Sequence, residues 1–290
     1  MFDQQLYRLT EHILYLPPDA DTDRPLLAAI SGEKYTLLVD AGNSSAHAEL
    51  FLKELNKYPI AKPSQVVLTH GHWEHVFGAH YLNLPCIASE GTKQEIEKML
   101  RFSWTDEALK QRVRAGIESS FSAEMIKKEW GDNRQIPIIL PSQTFSERME
   151  LDLGGIHCLI EHVGGDHADD SSVVYVKEDK VLFLGDCLYP DYKGDRWRYT
   201  VKGTQALLNR LEKYDADLYV LSHDIPLSKT QFRIYADLLK LFCQITIKMQ
   251  GEIEAMISAL SKELGRRLEP LERLVIRYFA NGVEAVSAQA

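Results

Sequence analysis

The sequence predicts an α/β fold. Short apolar segments of strand length alternate with helix-patterned segments up to Val66-Val67-Leu68. A charged stretch at 92–130 then carries apolar residues at helical spacing, and strands return from Ile136 onward. The chain has 290 residues, enough for one large α/β unit or two smaller ones.

Taken in order, residues 5–16 read as a first strand, stopped by Pro17-Pro18. Leu26–Ile30, the turn Ser31-Gly32-Glu33-Lys34 and Tyr35–Val39 read as a hairpin, ended by Asp40-Ala41-Gly42-Asn43. Ala46, Leu50, Leu52 and Leu55 give 46–57 helical spacing, and Val66–Leu68 is a short buried strand that stops at Thr69-His70. The stretch 92–130 is helical through Ile96, Met99, Leu100, Val113 and Ile117. Strands are expected at 136–140, 156–163, 172–176 and 181–185, the last two joined by the turn Lys177-Glu178-Asp179-Lys180. A helix at 205–214 and a strand at Leu218–Leu221 precede an amphipathic helical region, 229–290, interrupted near Pro270.

Hydrophobic residues make up 45% and charged residues 26%, which excludes a disordered chain, a collagen-like fibre and a disulfide scaffold. With 42 acidic and 33 basic residues the net charge is −9, so no nucleic-acid or membrane partner is expected. The N-terminus lacks a basic region followed by an apolar run, and no apolar stretch nears the roughly 18 residues of a membrane span. Cys86, Cys158, Cys187 and Cys243 form no C-x-x-C pair. The expectation is a cytoplasmic protein with reduced, buried thiols.

Chemistry concentrates in Thr69-His70-Gly71-His72-Trp73-Glu74-His75, directly after an apolar strand. On an extended backbone His70 and His72 project to one side and can share one cation. Glu74 and His75 begin the next turn and suit a second cation nearby. Imidazole with carboxylate is a ligand set for zinc, iron or manganese. Three further candidates each follow a strand end, where loops gather around active sites: His167, Asp186 and His223. Taken singly, each is equally a turn Asp or a loop His. The remaining histidines, His12, His47, His80, His157 and His162, are read as packing or surface residues.

The set resembles the signature of the metallo-β-lactamase-fold hydrolase superfamily, His-x-His-x-Asp-His followed by a distant His, an Asp and a last His. His70-Gly71-His72-Trp73-Glu74-His75 matches the first block, with Glu74 where the family has Asp. Gly164-Gly165-Asp166-His167, Phe183-Leu184-Gly185-Asp186 and Ser222-His223 resemble the later blocks, and Leu38-Val39-Asp40-Ala41-Gly42 resembles the family's start. The likeness runs from about residue 7 to about residue 226.

The resemblance implies a four-layer αββα sandwich with metals at one edge of two sheets. It implies a domain over 1–228, with 92–130 as a helical insertion and 229–290 as a C-terminal helical extension packed on it. His70, His72 and His167 would bind a first metal, and Glu74, His75 and His223 a second. Asp186 would bridge both, with Asp40 accepting a hydrogen bond from a ligating imidazole. Glu74 is longer than Asp by one methylene, about 1.5 Å, so it would ligate from a displaced backbone or a different rotamer.

Two zinc ions, with iron or manganese as alternatives, would hold a bridging water and lower its pKa toward neutrality. The resulting hydroxide would cleave a small ester, thioester, lactone or phosphoester, with Glu74 or Asp186 orienting the water. No G-x-S-x-G elbow is present to supply a serine nucleophile. Tyr189, three residues after Asp186, is similar in placement to a tyrosine of the superfamily's quorum-signal lactonases that supports the substrate carbonyl or leaving group. It suits a packing role equally well, being one of 13 tyrosines. Asp186 argues against the main zinc β-lactamases, which place Cys there, and intact His72 argues against a redox di-iron protein. A metal-dependent binder or sensor on the same scaffold is the rival reading. The helices at 229–290 are read as a pocket wall, a face for homodimer formation or plain core packing.

Overall fold

The computed structural model describes residues 4–192 and 196–287, which form two β-sheets with helices on both outer surfaces. The first sheet takes its strands in chain order: β1 (Tyr7–Arg8), β2 (Ile13–Leu16), β3 (Leu27–Ser31), β4 (Thr36–Val39), β5 (Pro63–Val67), β6 (Cys86–Ser89) and β7 (Gln143–Phe145). The second runs from β8 (Arg148–Asp152) through β9 (His157–His162), β10 (Ser172–Val176), β11 (Val181–Gly185) and β12 (Leu218–Leu221) to β13 (Leu227–Ser228). Between the sheet-one strands lie α1 (Ser45–Leu55), α2 (Trp73–Val76), α3 (Ala79–Leu82), α4 (Glu90–Met99), α5 (Asp106–Arg114) and α6 (Ser120–Trp130). The second half carries α7 (Val201–Leu211), α8 (Lys229–Met249), α9 (Ile253–Leu264) and α10 (Pro270–Ser287).

The layering follows from apolar residues on both faces of the central strands. Successive strand side chains point to opposite faces. In β3, Leu27 and Ala29 face one core, while Ala28 and Ile30 face another. In β11, Val181 and Phe183 turn to the inter-sheet core, and Leu182 and Leu184 turn outward to α7–α10. Three cores result. One lies under α1–α6, one between the sheets and one under α7–α10. That is the αββα sandwich expected. No described helix is long and apolar enough to cross a membrane.

Several boundaries differ from the sequence reading. Residues 5–16 are a small hairpin, β1 against β2, because the chain turns at Leu9–His12 with Leu9 N–H donating to Ile13 O at 2.9 Å. The strand expected at 136–140 is absent. Pro137 and Pro141 remove ladder donors, so the segment alternates buried Ile136 with exposed Ile139 without joining a sheet. β6, β7 and β8 were not anticipated. β6 and β7 have four and three residues, and β8 (Arg-Met-Glu-Leu-Asp) is a charged strand at a sheet edge.

One glycine locks the sheets together beside the site. Gly185 ends β11 at φ +55, and a Cβ there would lie 2.9 Å from Thr69 Cβ and Oγ1. Thr69 belongs to the loop after β5, so one sheet's side chain occupies the space vacated by the other's glycine. Gly155, at φ +84, has no atom within 4 Å of such a Cβ. Gly185→Ala is expected to lower unfolding free energy by about 2–4 kcal/mol, and Gly155→Ala by about 1 kcal/mol. Urea denaturation of the two variants checks this, and equal losses would contradict the interlock.

Candidate metal centre

Parallel strands bring the site residues to one edge. β4 pairs parallel with β5, and β11 with β12, so their carboxyl ends emerge side by side. Asp40 follows β4, Thr69-His70 follow β5, Asp186 follows β11 and His223 follows β12. The loop after β9 delivers His167 to the same edge. Hydrogen bonds cross between the halves here. Ser172 N–H donates to Thr69 O (2.8 Å), Leu26 N–H to Ser222 O (2.6 Å) and Gly71 N–H to Asp170 Oδ2 (2.8 Å).

Outer partners decide which imidazole nitrogen faces inward. Thr69 Oγ1 donates to Asp40 Oδ2 (3.0 Å) and so accepts from His70 Nδ1 (3.1 Å), leaving His70 Nε2 as the inward atom. His167 Nδ1 donates to Pro190 O (3.1 Å), which leaves its Nε2 inward. His75 Nδ1 donates to Asp40 Oδ2 (2.8 Å), with Nε2 toward Asp186. His72 presents Nδ1 instead. Asp40 sits in the left-handed region at φ +60 and also accepts from Thr69 N–H (2.8 Å). An aspartate tolerates that backbone better than most residues.

The inward atoms fall into two sets sharing members. His70 Nε2 lies 3.0 Å from His72 Nδ1, which lies 2.9 Å from His167 Nε2. Tetrahedral ligands at about 2.0–2.1 Å from one cation stand about 3.3 Å apart, so this triangle is of coordination size. Asp186 Oδ2 stands 3.2 Å from His75 Nε2 and 3.3 Å from His223 Nε2. It is also 3.5 Å from His167 Nε2 and 4.0 Å from His70 Nε2, so one carboxylate oxygen faces both sets. Glu74 Oε1 lies 3.9 Å from His72 Nδ1 and 3.8 Å from His75 Nε2. Its extra methylene thus places it between the sets, not within the second alone. Asp186 Oδ1 and Glu74 Oε2 are buried without a hydrogen-bond partner. Buried carboxylate oxygens seldom go unpaired, and a cation at either set would satisfy them. The donor set fits a pair of divalent cations.

Burial drives His70 and His167 toward the neutral form, His167 to about 4, aided by the neighbouring imidazoles. Burial also opposes charge on His75 and His223. There the carboxylates of Asp40 and Asp186, and of Asp186 and Asp23, prevail, raising His75 well above its usual range and His223 to about 9. Burial, with Asp23 and Asp186 beside it, pushes Glu74 up to about 8. Burial would also raise Asp186, but His223 and His75 hold it well below the usual carboxylate range.

A cavity of about 600 Å³ opens on the cluster, with Glu74, His167, Asp186 and His223 on its floor and Phe121, Tyr192 and Trp197 among its walls. Tyr189 also lines it, its ring centroid 6.2 Å from that of His167 and 6.0 Å from that of His223. Its hydroxyl, however, donates to Asp224 Oδ2 at 2.8 Å. The structure places two residues that sequence reasoning missed. Asp23 Oδ1 backs His223 Nδ1 at 3.5 Å, and the Tyr192 hydroxyl lies 3.3 Å from His72 Nδ1. Asp23 is the last of three aspartates in Asp19–Asp23, and Tyr192 had no motif around it. Away from the cluster, His12 and His157 pair with Asp179 and Glu178.

Similarity to known proteins agrees with this geometry. Residues 26–223 match the family description "Metallo-beta-lactamase superfamily". Among solved structures, the stereoselective inverting sec-alkylsulfatase Pisa1 from Pseudomonas sp. superposes with a TM-score of 0.66 at 15% identity, covering 99% of this chain and 50% of its own. A metallo-beta-lactamase from Pontibacter korlensis superposes with a TM-score of 0.56 at 19% identity, covering 81% of this chain and 98% of its own. The chain thus spans about half the length of the alkylsulfatase, and at these identities the likeness speaks to fold alone. No curated protein sequence matches. With its family match spanning more than half the chain and its histidines and carboxylates gathered at one sheet edge, this protein belongs to the metallo-β-lactamase superfamily.

Proposed function

We propose that the protein is a dinuclear, zinc-type metallohydrolase acting on a small ester, thioester, lactone or phosphoester. One observation carries the reading: imidazole nitrogens, those of His70, His75, His167 and His223 backed from outside, and unpaired carboxylate oxygens converge beside an open cavity of small-molecule size. Nitrogen-rich sets with carboxylate suit zinc, and Asp186 between the sets suits two ions. Such a pair supplies Lewis acidity and a water acidified toward neutrality. The chain's own residues do the rest. Asp40 and Pro190 O hold His75 and His167 in the ligating orientation. Glu74, which lines the cavity and whose buried Oε2 has no partner, would accept a hydrogen bond from the attacking water. Phe121 and Trp197 exclude solvent from one side of the substrate.

The direct test is elemental analysis with a hydrolysis panel. About two metal equivalents per chain and chelator-sensitive turnover are expected, and His72→Ala should lose more than about 100-fold in rate with its fold intact. A fully loaded protein that binds small molecules tightly but turns over no ester, lactone or phosphoester would be a binder instead.

Asp40→Ala removes the acceptor that orients His75 and receives Thr69. Metal affinity should fall about 10–100-fold, measured by competition with a chromophoric chelator. Unchanged affinity would deny Asp40 that role.

Loading should also release protons. At pH 7 the metal-free protein would hold them on His223 (about 9) and on Glu74 (about 8), whose pKa values lie above the ambient pH, while Asp40 and Asp186 favour the proton on His75. A cation displaces them, so apparent affinity should rise from pH 6 to pH 9. Calorimetry in buffers of different ionisation enthalpy should register more than one proton released per chain at pH 7. Zero release would contradict the assignment.

A further inference from the structure

A second, smaller recess of about 240 Å³ lies on the other side of the histidine loop. His72 lines it, Met99, Phe102, Trp104 and Ile117 from the helical stretch bring an apolar surface, and the charged Glu95, Lys98, Glu118 and Asp170 also line it. Among the described residues, Tyr192 is the residue that lines both this recess and the larger cavity. Its ring stands edge-on to His72, centroids 5.2 Å apart, lies 5.3 Å from the ring of His167 and is propped by Trp197 at 6.1 Å. Its hydroxyl reaches His72 Nδ1 at 3.3 Å. The phenol ring therefore stands beside the cluster as a partition.

Resting on the hydrolase reading, we propose that Tyr192 is a specificity-determining residue. Its ring closes the catalytic cavity toward the apolar recess and caps the length of the apolar arm a substrate can extend past His72. The recess would take linear or branched hydrocarbon, because Met99, Phe102 and Trp104 offer dispersion contacts to an arm that leaves water. A substrate centred on the cluster has this space within reach, and among the described residues Tyr192 is the side chain common to both linings. Shortening that side chain joins the two volumes.

The test uses metal-loaded protein and linear alkylphosphonates from methyl to decyl, whose oxyanion head is a probe for the cation pair. Calorimetry should show wild-type affinity rising with chain length and then reaching a ceiling. In Tyr192→Ala the ceiling should move outward by at least about two carbons, each newly buried methylene tightening binding about fourfold. Tyr192→Phe keeps the ring and should keep the wild-type ceiling. Tyr192→Leu serves if the alanine variant does not fold. Coincident profiles for wild type and the shortened variants, a wild type without a ceiling, or a shifted ceiling in Tyr192→Phe would each overturn the assignment. Ester hydrolysis run in parallel separates the two readings. A shifted ceiling in a protein that hydrolyses nothing removes the hydrolase and leaves the partition, whereas an active enzyme with an unmoved ceiling removes only the partition. If no form binds any phosphonate, both fall.

Discussion

The carboxylate of Asp40 is the contact on which the rest of the site depends. It receives the amide and hydroxyl of Thr69 and the Nδ1–H of His75, so one side chain orients the loop after β5 and the first turn of α2. Through Thr69 it also sets the tautomer of His70. Thr69 in turn packs into the space left by Gly185 and accepts from Ser172 N–H, which ties the first sheet to the second. Asp40 therefore couples ligand orientation to the closure of the sandwich. Its left-handed backbone is a strain that this number of partners can hold.

Asp186 plays the complementary part. One of its oxygens faces imidazoles from both sets, while the other is buried and unpaired. Without cations, the charge of Asp186 is balanced by protons on His75 and His223. The site is thus an arrangement of donors that is electrostatically satisfied only when something positive lies between them. Divalent cations held there would compete with protons for the same place, and that competition would couple loading to pH.

The helical stretch between β6 and β7 supplies walls to both cavities. α6 brings Phe121 to the larger cavity, while Met99, Phe102 and Trp104 wall the recess beyond His72. Apolar residues at helical spacing in 92–130 were visible as amphipathic pattern. Pattern alone does not separate core packing from a pocket wall, and the structure shows both uses: Ile96, Leu109 and Ile126 are core, and Phe121 is wall. Tyr189 teaches a similar lesson. Its offset from Asp186 placed its ring at the site, but its hydroxyl is committed to Asp224, and it is Tyr192 whose hydroxyl reaches a cluster imidazole.

Much of the fold and most of the cluster were legible in the chain. Continuous apolar strands such as Val181–Gly185 must be buried on both faces, and histidines three to a loop after such a strand are costly unless they bind something. Short strands such as β6 and β7 were not legible, because three or four residues carry too little periodicity, and Ile136–Leu140 carried an alternation that Pro137 within it and Pro141 after it kept out of the ladder. Sequence by itself determined which residue types face inward and which strand ends carry donors, since these depend on local period and on burial. Only the tertiary structure decided which nitrogen of each imidazole points in, where the longer Glu74 carboxylate comes to rest and which tyrosine lines both cavities. Those outcomes depend on atoms from Asp40, Pro190, Asp23 and the helical stretch between β6 and β7, far apart along the chain, meeting at distances that no local pattern encodes.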